Sequence, residues 1–374
     1  MLIDLDVTPV TEPSSRSRRP LPYVVATVAV LLLALLGGSV APPRPGGLAE
    51  VITVPGQGAL ATLLTAQALY IVKFDGTVEA HPLCPGCPRW TSRAPAGQRL
   101  TEAGDTLVID GADAAVVTVL DARTGALRWR LPGVLSVDVI GGRVAAWNPE
   151  DRRLRVHELS TGRVLWSRPA SAYTGDEAYV AIVDERGGAT LVSAADGREV
   201  TPRRALGLPG AAARLAGDQL IVFGGDYLAG YRRDGLTRQW LTRGVAPYQV
   251  SACDDRLLCA FGPGGLTVLD RADGSVRWGG ANWQYVQPGG VLSEERGRSA
   301  VVDLQTGRVV RELGPSAPVG GLRLYPAAGG TTVLGLDGRA RGTLPLVLPG
   351  ACAAAGPYLS CETPNVTYTV WRVR

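Results

Sequence analysis

The chain has 374 residues, a formal net charge of +4 and a charged fraction of 19%. Its hydrophobic fraction of 46% supplies a large core and excludes an intrinsically disordered protein. The small positive charge, with no basic stripe interleaved with aromatic residues, excludes nucleic-acid binding. The 48 glycines and 27 prolines indicate many turns and therefore many short strands rather than long helices.

The first predicted element is a transmembrane helix. Residues 23–40 are almost wholly apolar, and these 18 residues can cross about 27 Å of hydrocarbon at 1.5 Å per residue. Three arginines within residues 16–19 precede the apolar run, and basic residues on one side keep that side in the cytoplasm. The sequence therefore predicts a single-pass membrane protein with its N-terminus inside.

This helix divides the chain into four predicted segments. They are a cytoplasmic tail (1–19), a transmembrane helix (20–41), a Pro/Gly linker (42–49) and an extracytoplasmic domain (50–374). The alternative is a cleaved signal peptide that ends near Ala41. The charged leader and Pro42 after the candidate cleavage site favour an uncleaved anchor.

Internal repeats dominate the chain after the linker. Eight segments share an apolar strand, an Asp-Gly or Thr-Gly turn and a second strand, with turn glycines 31 to 49 residues apart. A turn position with φ > 0 favours glycine. The predicted turn glycines are Gly76, Gly125, Gly162, Gly197, Gly235, Gly274, Gly307 and Gly338. In three copies an aspartate four residues earlier can accept hydrogen bonds from turn amides: Asp121, Asp270 and Asp303.

Four repeats place a tryptophan four or five residues after the turn glycine. These residues are Trp129, Trp166, Trp240 and Trp278. A large aromatic side chain at one fixed place in each repeat can wedge between neighbouring units. The sequence therefore predicts that these tryptophans pack between repeats.

The repeat unit predicts an all-β fold, a β-propeller. One turn motif and the hairpin before it give four antiparallel strands in about 38 residues, the size of a propeller blade. We expect eight blades, closed by pairing of the C-terminal strands with residues 50–83. Merging of weak copies would give seven.

The repeats also carry a family resemblance. The pattern VxxLDxxTGxxxW, best preserved at 117–129 and 266–278, resembles the repeat of the pyrroloquinoline-quinone-like (PQQ-like, or quinoprotein-like) β-propeller superfamily. The resemblance covers residues 50–374 and implies a propeller in an extracytoplasmic setting. It implies no cofactor, because the superfamily includes both enzymes and non-catalytic scaffolds.

Six cysteines follow the apolar run in three local pairs, which predicts disulfides in an oxidising compartment. The pairs are Cys84 with Cys87, Cys253 with Cys259, and Cys352 with Cys361. A hairpin turn at Gly356-Pro357 would place the last two cysteines directly opposite each other. For the CxxC pair, a redox dithiol or half of a zinc site are alternatives, and other connectivities stay possible.

The sequence contains no convincing catalytic set. Dehydrogenases of the resembled superfamily often use two adjacent cysteines near the quinone, and this chain has none. We therefore expect no enzyme, no catalytic or metal-binding residues and no cofactor. The favoured function is a membrane-tethered binding or scaffolding module for a protein, glycan or cell-envelope ligand. A ligand sensor that signals through a partner, and a quinone-dependent dehydrogenase, are the alternatives.

Overall fold

The structure is a computed structural model. It describes residues 47–374 apart from 96, 111–115, 135, 149, 209–211, 281–282, 288–289 and 295–296. The predicted tail, the predicted transmembrane helix and the linker up to residue 46 lie outside the described residues. Within the described residues, no helix is long and apolar enough to cross a membrane.

The strands of the described residues form nine four-stranded antiparallel sheets, which are the blades of a β-propeller. In blades 1 to 8 the four strands follow one another along the chain and pair in that order. We label them A to D within each blade. A strands of adjacent blades contact each other, so the A strands are innermost and the D strands outermost.

The bounds of the first half are as follows. Strand β1 (Leu48–Pro55) opens the described chain and belongs to blade 9. Blade 1 consists of β2 (Ala59–Leu64), β3 (Ala68–Lys73), β4 (Thr77–Pro82) and β5 (Trp90–Arg93). Blade 2 consists of β6 (Arg99–Ala103), β7 (Thr106–Asp110), β8 (Val116–Asp121) and β9 (Leu127–Pro132). Blade 3 consists of β10 (Ser136–Ile140), β11 (Arg143–Asn148), β12 (Arg153–Glu158) and β13 (Val164–Pro169). Blade 4 consists of β14 (Ala172–Gly175), β15 (Tyr179–Val183), β16 (Gly188–Ser193) and β17 (Glu199–Ala205).

The second half repeats this order. Blade 5 consists of β18 (Ala212–Ala216), β19 (Gln219–Gly224), β20 (Tyr227–Arg232) and β21 (Arg238–Arg243). Blade 6 consists of β22 (Gln249–Ala252), β23 (Leu257–Gly262), β24 (Gly265–Asp270) and β25 (Val276–Gly280). Blade 7 consists of β26 (Tyr285–Gln287), β27 (Val291–Ser293), β28 (Arg298–Val302) and β29 (Val309–Pro315). Blade 8 consists of β30 (Ala317–Val319), β31 (Leu322–Ala327), β32 (Gly330–Gly335) and β33 (Ala340–Leu344). After a 3-10 turn (Pro349–Ala351), blade 9 adds β34 (Cys352–Ala355), β35 (Tyr358–Glu362) and β36 (Thr367–Val373).

The expectation of eight or seven blades was wrong. The described residues contain nine blades, because residues 59–93 form a complete blade of their own instead of joining the C-terminal strands. Blade 9 takes only β1 from the N-terminal side, as its D strand, in the order β1-β36-β35-β34. The eight turn motifs therefore mark eight blades, and the C-terminal remnant makes a ninth.

Closure of the ring joins the two ends of the described chain. Strand β1 pairs antiparallel with β36, and the amide of Arg374 donates a hydrogen bond to the carbonyl of Gly47 at 2.6 Å. Apolar clusters join blade 9 to blade 8 on one side and to blade 1 on the other. Neighbouring blades therefore cover both faces of the closing blade.

Burial follows position within the blade. B strands such as β3 and β7 are buried along nearly their whole length, because neighbouring blades cover both of their faces. D strands such as β9 and β17 are mostly half-buried or exposed. Apolar clusters fill eight of the interfaces between adjacent blades in the described residues. The core is therefore a ring of separate inter-blade layers.

The interface between blades 7 and 8 is polar. The Ser293 and Ser299 hydroxyls lie 3.3 Å apart, and the Ser299 hydroxyl donates to the Ser316 carbonyl at 3.0 Å. Arg323 is 2% exposed and donates to the Leu313 carbonyl at 2.7 Å and the Ser316 hydroxyl at 3.0 Å. Burial, followed by the charge of Arg311, lowers the pKa of Arg323. This interface therefore gains less from apolar burial than the others.

Candidate functional site

Five D-strand tryptophans in the described residues dock onto the next blade. Each indole Nε1 donates a hydrogen bond to a backbone carbonyl in the C–D turn of the following blade. The pairs are Trp90 with Ala122 (3.1 Å), Trp129 with Leu159 (2.9 Å), Trp166 with Ala194 (3.1 Å), Trp240 with Arg271 (2.9 Å) and Trp278 with Leu304 (2.7 Å). The structure thus places all four predicted tryptophans between blades, and adds Trp90.

Glycine in the C–D turn makes room for the indole. Gly162 and Gly197 have φ of +72° and +68°. A Cβ added to either would lie 2.7 Å from ring atoms of Trp129 and Trp166, respectively, which is closer than packing allows. The same close approach joins Gly125, Gly274 and Gly307 to Trp90, Trp240 and Trp278. Glycine is therefore required both for its conformation and for the contact.

The contact between blades 4 and 5 uses a different pair of residues. Thr201 stands where other blades have tryptophan, and its hydroxyl donates to the Arg233 carbonyl at 3.1 Å. The positive-φ turn position is Leu236, at +51°, and not Gly235 as the sequence predicted. Leu236 is 4% exposed and joins the apolar cluster between the two blades. A leucine side chain thus fills space that an indole fills elsewhere, and Trp240 lies four residues after this turn position as in the other blades.

Blade 1 replaces the C–D turn with the CxxC loop. Gly76 belongs instead to the B–C turn, between β3 and β4, so its assignment to the common turn position was wrong. The loop that precedes Trp90 contains the Cys84–Cys87 disulfide. Trp90 was not included in the sequence prediction, because Gly86 lies in the CxxC loop rather than in an Asp-Gly or Thr-Gly turn. The available signals were Gly86 itself, which has a φ of +75° and lies four residues before Trp90 as in the other blades, and the spacing of 39 residues between Trp90 and Trp129.

The predicted aspartates cap the C–D turns. Asp121 Oδ1 accepts hydrogen bonds from the amides two and three residues later, both at 3.0 Å. Asp270 and Asp303 each accept one from the amide two residues later, at 2.9 Å. A hydrogen bond from Arg128 is the largest cause that lowers the pKa of Asp121 to about 2. This carboxylate therefore stays ionised at neutral pH and accepts the hydrogen bonds of the turn amides.

All three predicted disulfides are present. Cys352 and Cys361 are directly opposed in the hairpin of blade 9, with Cα atoms 4.1 Å apart. Cys253 and Cys259 join the A–B hairpin of blade 6, with Cα atoms 5.4 Å apart. The described residues contain no free cysteine. The disulfides therefore brace three hairpins or turns of the ring.

The CxxC loop forms one wall of a cavity of about 390 Å³ between blades 1 and 2. The cavity lies on the face that carries the A–B and C–D turns, which we call the lower face. Most of its lining is apolar or aromatic: Ala68, Tyr70, Ala80, Pro82, Pro88, Trp90 and Ala122, with Gln67, Gly104 and the disulfide at the turns. Glu102 and Arg123 supply opposite charges. We call it the blade 1–2 cavity.

The polar groups of this cavity are held in place. The Tyr70 hydroxyl donates to Glu102 Oε1 at 2.8 Å and lies 3.3 Å from the Ala122 carbonyl. Burial, and then the hydrogen bond with Glu102, raise the pKa of Tyr70 far above its ordinary value. Tyr70 is therefore protonated at neutral pH and acts as a donor. With the Trp90 ring 6.0 Å away, it forms an aromatic wall with one fixed carboxylate.

The histidines lie outside this cavity. His157 Nδ1 donates to the Gly162 carbonyl at 2.9 Å, and its ring stacks on Trp129. His81 lies 3.2 Å from Glu79, and burial lowers the pKa of His81 despite this carboxylate. Among the residues that the structure describes, no group of three or more His, Cys, Asp or Glu could hold a metal ion.

Comparison with protein families identifies the repeats. A family model described as outer membrane protein assembly factor BamB matches residues 74–200, from the start of the B–C turn of blade 1 to the D strand of blade 4. The PQQ-like propeller fold is confirmed. The match covers the blades in which the Trp and Gly positions recur most regularly. A search of curated protein sequences found no match to this PQQ-like propeller.

One similar solved structure supports the propeller fold. BamB from Moraxella catarrhalis is similar with a TM-score of 0.54 and 14% identity, over 87% of this chain and 99% of that one. A computationally designed protein, Ika8, has a TM-score of 0.47 and 15% identity, over 87% and 99%. The C-terminal WD40 domain of Sif2 has a TM-score of 0.45 and 9% identity, over 88% and 99%. At 14% identity the likeness to BamB shows the β-propeller fold alone.

Proposed function

We propose that this chain is a non-catalytic, membrane-tethered extracytoplasmic propeller that binds a protein partner at the blade 1–2 cavity. The observation that carries the proposal is the cavity, which combines an apolar and aromatic lining with a fixed carboxylate on a rigid ring. The matched family is named for the assembly of outer membrane proteins, which supports a protein partner.

The lining favours a partner segment that inserts an apolar side chain. Trp90 and two prolines offer rigid apolar surface in front of the buried Tyr70, and aromatic anchors carry much of the binding energy at protein interfaces. The charges of Glu102 and Arg123 can bond the amide and carbonyl groups of the same segment. Because the Trp–Gly contacts brace blade 2 against its neighbours, little conformational entropy is lost on binding.

Photo-crosslinking in cells tests this site. A photoreactive residue replaces Gln67, an exposed turn residue in the lining of the cavity. The matched control replaces Arg186, an exposed residue of a B–C turn on the opposite face. We expect a discrete adduct with one protein from position 67 and none from position 186. Equal labelling from both positions, or no adduct from position 67, would contradict the proposal.

The tether is supported by the sequence. The apolar run at 23–40 follows a basic cluster, and three disulfides in the propeller suit an oxidising compartment. N-terminal sequencing of the mature protein from the membrane fraction tests the uncleaved anchor. We expect the intact N-terminus, whereas a mature start at Pro42 would replace the anchor with a cleaved signal.

A further inference from the structure

We propose that the Cys84–Cys87 disulfide is a site of thiol–disulfide exchange with dithiol reductants, and that its reduction opens the wall of the blade 1–2 cavity. The second half of this proposal rests on the proposed function, because it concerns regulation of the same cavity. The first half concerns only the reactivity of one disulfide.

Accessibility separates this disulfide from the other two. Cys84 and Cys87 are both exposed. In each of the other pairs one cysteine is fully buried, since Cys259 and Cys361 are 0% exposed. A thiolate must reach a disulfide sulfur to attack it, so exposed disulfides exchange faster than protected ones. Cys84–Cys87 is therefore the disulfide that a dithiol reaches first.

The CxxC loop depends on its disulfide for its shape. The C–D turns of blades 2, 6 and 7 are capped by the aspartates Asp121, Asp270 and Asp303. Between Cys84 and Cys87, the Cys87 amide lies 3.3 Å from the Cys84 carbonyl, a long hydrogen bond, and Pro85 has no amide hydrogen to donate. The disulfide is therefore the main bond that holds the two ends of this short loop together.

The same disulfide borders two cavities. Cys84, Cys87 and Pro88 line the blade 1–2 cavity. Cys84 and Pro85 also line a second cavity of about 520 Å³, between blade 9 and blade 1. A change in the path of the loop therefore alters two adjacent cavities of the lower face at once.

The exchange is a two-electron step. One thiolate of the dithiol attacks a sulfur of the Cys84–Cys87 disulfide; the S–S bond breaks, and the other cysteine leaves as a thiolate that takes a proton. The second thiol of the reductant loses its proton and attacks the mixed disulfide. The reductant leaves as a disulfide, and the two cysteines become thiols. The protons and electrons lost by the dithiol equal those gained by the protein.

Timed alkylation tests the reactivity. The full-length protein is treated with limiting dithiothreitol, and free thiols are alkylated at intervals and mapped by peptide mass spectrometry. We expect Cys84 and Cys87 to be alkylated at least about tenfold faster than the four other cysteines, because both of their sulfurs are accessible. Equal rates at all three disulfides, or earlier reduction of Cys253–Cys259, would overturn the proposal.

Crosslinking separates the regulatory claim from the proposed function. The yield from the photoreactive residue at position 67 is compared between the native chain and a C84S/C87S variant, with C253S/C259S as the control and circular dichroism to verify folding. We expect the yield to fall severalfold in C84S/C87S alone. Unchanged yield in C84S/C87S would refute regulation and leave the binding site standing. No adduct even from the native chain would refute the binding site and leave the alkylation result standing.

Discussion

The contact between Gly197 and Trp166 offers a sharp test of how the blades hold together. Replacement of Gly197 by alanine adds a Cβ that would lie 2.7 Å from Trp166 ring atoms, at a backbone φ of +68°. Gly207, in the loop after the same blade, has a φ of +69° with nothing within 4 Å of its added Cβ. The two substitutions therefore share the backbone change and differ in the contact.

The structure sets the expected magnitudes. Alanine in the left-handed region costs about 1–2 kcal/mol, which is the whole expected effect of G207A. In G197A the indole must also move, at a cost of about 1–3 kcal/mol for overpacking. A displaced indole weakens the hydrogen bond from Trp166 to the Ala194 carbonyl, now 3.1 Å. We therefore expect G197A to lower the free energy of unfolding by about 1–3 kcal/mol more than G207A.

Equilibrium unfolding in urea, followed by far-ultraviolet circular dichroism of the full-length protein, measures this difference. Both substitutions are repeated in a W166A background, where the indole is absent. There the excess cost of G197A should disappear, because the added Cβ no longer meets the ring. Equal costs of the two substitutions in the native background, or an excess that persists without Trp166, would refute the reasoning.

Three further predictions concern acid, the closing blade and the polar interface. Because the folded-state pKa of Asp121 is lowered to about 2, its ionised form stabilises the fold at pH values above the ordinary carboxyl range. The free energy of unfolding should therefore fall as the pH drops from about 4 to about 2. In acid titrations followed by circular dichroism, D121N should reduce that loss. In urea unfolding, the free energy of unfolding of the C352S/C361S variant should be about 2–3 kcal/mol lower than that of the native chain, as expected for a disulfide loop of this length. An unchanged free energy of unfolding would contradict a bracing role for this disulfide. Strands β28 and β31 flank the polar interface of blades 7 and 8, whereas β8 and β11 flank the apolar interface of blades 2 and 3. In hydrogen–deuterium exchange, the amides of β28 and β31 should exchange sooner than those of β8 and β11. The reverse order would contradict a weaker interface between blades 7 and 8.

Much of the fold could be predicted because its signals are local. The turn glycine, the aspartate four residues before it and the tryptophan four residues after it all lie within one C–D hairpin, as at Asp121, Gly125 and Trp129. The hairpin of Cys352 and Cys361 could be read for the same reason, since its register follows from the turn.

The blade number could not be read from these local signals. The blade number depends on which distant strands pair. No local signal indicates that β1 pairs with β36 while residues 59–93 form a complete blade without the C-terminal strands. Gly76 was misleading because a glycine turn of the same appearance serves a B–C connection there. Leu236 was missed because a residue with φ of +51° was expected to be glycine.

The blade 1–2 cavity was also beyond sequence reasoning. Its lining comes from turns and strands of two blades, such as Gln67, Trp90 and Arg123, which are far apart in the chain. The sequence marked only the CxxC loop, and left a disulfide, a dithiol and a zinc site as possible interpretations. The cavity forms because the fold places the longer C–D loop of blade 1 next to the tight C–D turn of blade 2.

The central claim is that a protein partner binds at the blade 1–2 cavity. Its most direct test is the affinity of the crosslinked partner for purified full-length protein, compared among the native chain, Q67W at the cavity and R186W on the opposite face. We expect Q67W to weaken binding by at least about tenfold, equivalent to about 1.4 kcal/mol, while R186W leaves the affinity unchanged. Native affinity in Q67W, or an equal loss in both variants, would contradict the claim.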